Sequence, residues 1–181
     1  NNRGIAYDEK GQYNRAIEDY NKAISLKPNL TEAYISRGAA YYNKGQYDMA
    51  IEDCNKAIAL KPDLANLAKA YSNRGAAYNK KGQNDMAIED YNKAIALKPD
   101  DVIAYYNRGN AYNKKGQNDI AIEDFNKAIA INPNYADAYH NRGVAYYMKG
   151  IMGRAISDFQ KACDMGDEIG CKNLQEVLKK K

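Results

Sequence analysis

Apolar and small residues fall along this chain in paired runs at three- and four-residue spacing. Between positions 31 and 64 the first run carries Ala33, Tyr34, Ala40 and Tyr41, and the second Ala50, Ile51, Cys54, Ala57, Ile58 and Leu60. That spacing is the period of an α-helix with one packed face. Gly45 lies between the runs and frees the backbone to reverse. Pro62 cannot continue the second helix, and Asp63 after it is a candidate cap for the next one. The predicted unit is helix, turn, helix, stop.

The unit recurs. Arg-Gly, followed three residues later by tyrosine, is found at Gly4, Gly38, Gly75, Gly109 and Gly143, with spacings of 34, 37, 34 and 34 residues. A second glycine slot holds Gly11, Gly45, Gly82, Gly116 and Gly150, and all four prolines (Pro28, Pro62, Pro99 and Pro133) share one slot. A fixed period of this size predicts stacked helical hairpins, in which function lies along a surface. The three extra residues near 65–67 contain no helix breaker, so they are expected to lengthen the third unit's first helix by about one turn.

Composition adds limits. With 28% charged and 45% hydrophobic residues among 181, the chain has the make-up of an ordinary water-soluble domain. The formal charge of +4 is mild and its one basic run is Lys179, Lys180 and Lys181, so nucleic-acid binding is not expected. No apolar stretch approaches the ~20 residues that span a bilayer, so no membrane insertion is expected, and no signal segment opens the sequence. Because it starts at Asn1, without an initiator Met and inside a repeat, the chain is expected to be a piece of something longer. Neither compartment nor organism can be read from it.

These residues resemble the tetratricopeptide repeat family. With each unit numbered from Thr31, the family pattern asks for an aromatic at slot 4, Gly at 8, Tyr at 11, Ala at 20, an aromatic at 24, Ala at 27 and Pro at 32. The second copy offers Tyr34, Gly38, Tyr41, Ala50, Cys54, Ala57 and Pro62. The third offers Tyr71, Gly75, Tyr78, Ala87, Tyr91, Ala94 and Pro99, and the fourth Tyr105, Gly109, Tyr112, Ala121, Phe125, Ala128 and Pro133. The resemblance implies an all-α fold: a right-handed α-solenoid superhelix of five hairpins plus a C-terminal capping helix. The repeats run at about 1–30 (truncated at its start), 31–64, 68–101, 102–135 and 136–167, and the cap at about 168–180. Most of the 17 tyrosines are then core.

Slot 7, commonly Leu in the family, is Arg in every copy: Arg3, Arg37, Arg74, Arg108 and Arg142. Slot 23 is always Asp: Asp19, Asp53, Asp90, Asp124 and Asp158. A guanidinium beside the small slot 8 and a carboxylate on the packed second helix suit each other as an internal ladder of ion pairs. The alternative is a row of arginines facing an anionic ligand.

In the family, slots 2, 5, 9, 12 and 13 of the first helices line a groove for an extended peptide or a partner's helix. Here the resemblance assigns Tyr42, Lys69, Ser72, Asn79, Lys80, Tyr106, Asn110, Asn113, Lys114, His140 and Tyr147 to it. Amides can pair with a peptide backbone and tyrosines give rigid area with a polar tip. The lysine-rich clamp of chaperone-tail binders is not expected, because slot 5 is never Lys. Cys163 and Cys171 sit in a phrase that resembles the cysteine-paired hairpins of Sel1-like repeats, which implies a disulfide; two free packed thiols are equally compatible with the sequence.

Chemistry finds no foothold. His140 is the only histidine, no Gly-rich loop has phosphate-cradling spacing, no serine stands in a nucleophile phrase, and no four metal ligands cluster. The expectation is a non-catalytic interaction scaffold without cofactor or metal, whose partner is a protein or peptide. Two alternatives remain open: a structural or designed solenoid that associates end to end without a ligand, and the targeting domain of a larger enzyme.

Overall fold

A computed structural model describes residues 2–179. Eleven α-helices account for the regular structure of those residues, with no strand among them. Residues up to Pro99 form one compact unit and residues from Asp100 a second. The first holds three hairpins: α1 (Asn2–Glu9) with α2 (Tyr13–Leu26), α3 (Thr31–Asn43) with α4 (Tyr47–Ala59), and α5 (Leu64–Lys80) with α6 (Asn84–Leu97). The second holds α7 (Val102–Lys114) with α8 (Asn118–Ile131), α9 (Ala136–Met148) with α10 (Met152–Asp164), and the terminal α11 (Glu168–Lys179). Lys180, the expected last residue of the cap, lies outside the described residues, as do Asn1 and Lys181.

Each hairpin turns on a left-handed glycine; Gly45 sits at φ 75°, a conformation that costs an L side chain its Cβ clearance. The slot-8 glycines do different work, since they let the two helices touch. A Cβ on Gly109 would stand 2.8 Å from the Phe125 ring, and one on Gly143 would stand 2.8 Å from Phe159. Tyr20, Tyr91, Phe125 and Phe159 fill this slot-24 position almost completely buried, and Cys54 takes it in the second hairpin. Around them the fully buried alanines, such as Ala40, Ala57, Ala111 and Ala145, set the close approach of helices.

The three extra residues are taken up inside α5, which has 17 residues against 13 in α3 and α7. Leu64 opens it because Asp63 accepts a hydrogen bond from the Asn66 amide, and Lys61 turns the chain through φ 49° just before. Asp101 caps α7 in the same way, accepting from the backbone of Ile103 and Ala104. In the second unit the core gathers Ile122, Ala145, Tyr146, Ala155, Phe159, Leu174 and Val177, so α11 covers the last hairpin with Leu174 and Val177.

Candidate functional site

Each slot-7 arginine reaches the slot-23 aspartate of its own hairpin with two prongs of its fork. Arg37 Nε donates to Asp53 Oδ2 at 2.7 Å and Nη2 to Oδ1 at 2.6 Å; Arg74 meets Asp90 at 2.7 Å twice. Arg108 with Asp124 and Arg142 with Asp158 repeat the geometry at 2.6–2.8 Å. The aspartates are only 3–8% exposed and the arginines 17–20%, whereas Arg3 beside Asp19 is 72% exposed. The Asp hydrogen bond holds the Arg37, Arg74 and Arg142 guanidiniums above their ordinary value. Burial pushes the Asp53 and Asp124 carboxyls up, and the fork beside each pulls them back. Two short bonds from one fork to both oxygens fix the pair as ionised. The heads of Arg37, Arg74, Arg108 and Arg142 also lie over a tyrosine one turn earlier, Arg74 5.4 Å from the Tyr71 ring centre and Arg142 5.3 Å from that of Tyr139. With their heads turned inward, these four arginines do not form a row facing a ligand.

The third prong ties neighbours together. Arg74 Nη1 donates to Asn55 Oδ1 at 2.6 Å and Arg142 Nη1 to Asn126 Oδ1 at 2.6 Å, while Arg37 reaches Asn21 likewise. Each asparagine stands on the second helix of the preceding hairpin, so one guanidinium joins three helices. A second tie runs outside it: Lys81 pairs with Asp48 and Lys149 with Asp119, each joining the end of a first helix to the start of the preceding second helix.

The residues assigned to the groove separate into two kinds. In the first unit Lys69 and Lys80 are exposed and Tyr42 and Ser72 half-buried, but Asn79 is 8% exposed, with its side chain bonded to the Tyr91 hydroxyl. Asn79 is therefore interior and presents no amide to a ligand. In the second unit the groove side chains hold one another. Asn141 Nδ2 donates to the Tyr106 hydroxyl at 2.8 Å and to Asn110 Oδ1 at 2.9 Å, and Asn113 Nδ2 approaches the Asn141 carbonyl at 3.4 Å. The Tyr106 ring packs 4.9 Å from Tyr135 and 6.1 Å from Phe125, and burial pushes its hydroxyl up. Lys114 is exposed and Tyr147 half-buried.

His140 turns to the cap instead. Its Nδ1 lies 3.0 Å from Asp167 Oδ2 and its Nε2 2.9 Å from Asn173 Nδ2, with the ring edge on Phe159. Cys163 and Cys171 are joined as a disulfide across the α10–α11 turn, with Cα atoms 4.5 Å apart. Cys54 is free and buried, and its thiol is pushed up to about 12 by burial. Among the described residues no group of three or more His, Cys, Asp or Glu could hold a metal, and no helix is long and apolar enough to cross a membrane.

The family model described as TPR repeat matches residues 4–45, 75–116 and 109–150, and the tetratricopeptide repeat model matches 31–64. The chain belongs to the tetratricopeptide repeat family. Among solved structures it is similar to MamA, with 33% identity over 91% of this chain and 95% of that one at a TM-score of 0.77. TTC0263, a thermophilic protein of Thermus thermophilus, shares the fold at 18% identity, covering 98% and 96%, with a TM-score of 0.78. The first TPR of Spaghetti (RPAP3), solved with an HSP90 peptide, matches at 26% identity over 64% of this chain and 93% of that one, with a TM-score of 0.61. Comparison with curated proteins found no match.

Sequence reasoning passed over several residues of this tetratricopeptide array. The slot-25 asparagines Asn21, Asn55 and Asn126 were legible as a recurrence, because Asn follows the slot-24 residue in four of five copies. Asn141 recurs too, since Asn precedes the slot-7 arginine in four of five copies, but its bond to Tyr106 needs a tyrosine that slot 5 holds in one copy alone. Asp167 and Asn173 stand where the repeat ends and carried no such signal; only the fold brings them to His140.

Proposed function

We propose that this tetratricopeptide segment is a non-catalytic interaction scaffold that takes up an extended peptide on its first-helix faces, chiefly that of α7 and α9. The observation that carries this is the Tyr106, Asn110 and Asn141 cluster. Asn141 holds both the Asn110 amide oxygen and the Tyr106 hydroxyl, and the Asn110 side chain also bonds that hydroxyl. An amide nitrogen carries two hydrogens, so a bond to Tyr106 leaves one for a peptide carbonyl. A donor fixed in advance in this way binds at low ordering cost. Tyr106, clamped between aromatic neighbours, adds rigid contact area of the kind that dominates binding energies. The HSP90 peptide on the RPAP3 domain supports peptide uptake by a chain of this kind. The ligand class differs, since slot 5 here reads Ile35, Ser72, Tyr106 and His140 and offers no lysine to an acidic tail.

Peptides selected by display on the intact chain test this reading, with affinities measured by calorimetry. Asn110→Ala combined with Tyr106→Phe keeps the ring and removes the polar groups, so affinity should fall about tenfold, as two lost hydrogen bonds of roughly 0.5–1.5 kcal/mol each imply. Affinity that survives this change and is lost instead on Lys127→Ala would put the working surface on the second helices.

A further inference from the structure

On α9, Val144, Tyr147 and Met148 share one face, and on α11 Asn173, Glu176 and Val177 share another. Between them, over Phe159, lies a cleft of about 260 Å³. The core beneath closes through Tyr146, Phe159, Leu174 and Val177 without Met148, which is left 69% exposed at the mouth. An unbranched thioether held in water beside an apolar cleft is suited to mould itself around an incoming apolar side chain. Glu176 is exposed at the rim, and among the described residues it makes neither hydrogen bond nor ion pair. Asn173 turns its amide nitrogen to His140 Nε2 at 2.9 Å, which leaves its amide oxygen to act as an acceptor.

We propose that this cleft is a specificity pocket for an apolar side chain whose neighbour in the peptide is lysine or arginine. The apolar walls take the side chain, the exposed Glu176 carboxylate at the rim selects a cation beside it, and the Asn173 oxygen accepts a peptide N–H. The wall is preformed, because the Cys163–Cys171 disulfide and the Asp167 hydrogen bond to the Ile169 amide fix the start of α11. This inference rests on the scaffold reading above and adds a sequence preference to it.

The probes are acetylated, amidated tetrapeptides Gly-Leu-Lys-Gly, Gly-Leu-Glu-Gly and Gly-Ser-Lys-Gly, titrated into the oxidised chain. Binding is read from the ¹³C-methyl signal of Met148 and the amide signals of Val144 and Val177. The Leu-Lys peptide should give saturable shifts at all three, and each other peptide should bind roughly fivefold or more weakly, the scale of one exposed charge pair or one apolar contact. Glu176→Lys, at an exposed site that leaves the core alone, should make Leu-Glu the better ligand. Equal binding of the Lys and Glu peptides, or no response to the charge swap, overturns the proposal. Shifts confined to Tyr106, Asn110 and Asn113 also overturn it but leave the scaffold reading standing. Display-selected peptides that move no first-helix signal would remove both.

Discussion

Removing Asp90 is the sharpest perturbation of the ladder. The carboxylate is 3% exposed and receives two bonds of 2.7 Å from Arg74, whose own side chain is 17% exposed. Asp90→Ala leaves that guanidinium half-enclosed by Tyr71 and Tyr78 with one partner, Asn55. An uncompensated buried charge costs about 3–5 kcal/mol, and the remaining exposure of the head together with the Asn55 bond argue for the lower end, about 3 kcal/mol. Arg74→Met with Asp90→Leu removes both charges at similar volume and should recover most of the loss, since a well-packed apolar pair often equals a buried ion pair. Asp19→Ala is the control: the Arg3 head it would leave behind is 72% exposed and already solvated, so its loss should leave the midpoint nearly in place. Urea unfolding followed by far-ultraviolet circular dichroism measures all of these variants, with unchanged slopes showing that stability alone has shifted. If Asp90→Ala and Asp19→Ala move the midpoint equally, or the double variant is no better than Asp90→Ala, the ladder is decoration and the packing of alanines and aromatics holds the hairpins alone.

Gly109→Ala should destabilise by about 1–3 kcal/mol, because its Cβ would stand 2.8 Å from Phe125, whereas Gly38→Ala would meet the Ala50 carbonyl oxygen at 3.3 Å and Cys54 Sγ at 3.4 Å and should cost less; thermal melts distinguish them. Cys54, with its thiol pushed up to about 12, should be silent to a thiol reagent in the folded oxidised chain and react once in guanidinium. Asn14→Asp should add roughly 0.5 kcal/mol, lost at high salt, because the first turn of α2 has no acid and Lys44 occupies the place from which Lys81 reaches Asp48. Replacing Cys163 and Cys171 with Ser opens a bridge between residues separated by 8 and should cost roughly 2.5 kcal/mol in denaturant titrations run without reductant.

How much of this was legible follows from what repetition can signal. The hairpins, their turn glycines and the slot-24 aromatics recur along the chain, so period and chemistry identify them without coordinates. The candidate site is different, because a groove is made by neighbouring helices and its polar groups are judged by what they already hold. Asn79 and Asn113 occupy the same slot of their repeats, yet Asn79 is buried against Tyr91 while Asn113 lies half-buried near Asn141. What distinguishes them is the partner residue at one position in one copy, which no period can reveal.

The arginine ladder supports placing the proposed site where repetition fails. A guanidinium that gives two prongs to its own hairpin and one to the preceding hairpin makes the same bond set at Arg37, Arg74 and Arg142, so it cannot discriminate one ligand from another. Fixed in this way, the second helices leave the first-helix faces free to vary. Variation is concentrated there: slot 5 runs Ile35, Ser72, Tyr106, His140, and slot 9 runs Ala39, Ala76, Asn110, Val144. In the last hairpin those positions meet α11, whose sequence does not follow the repeat and whose Asn173, Glu176 and Val177 add side chains that the period could not supply. Specificity should thus rise where the repeat ends, which is where the disulfide holds its wall.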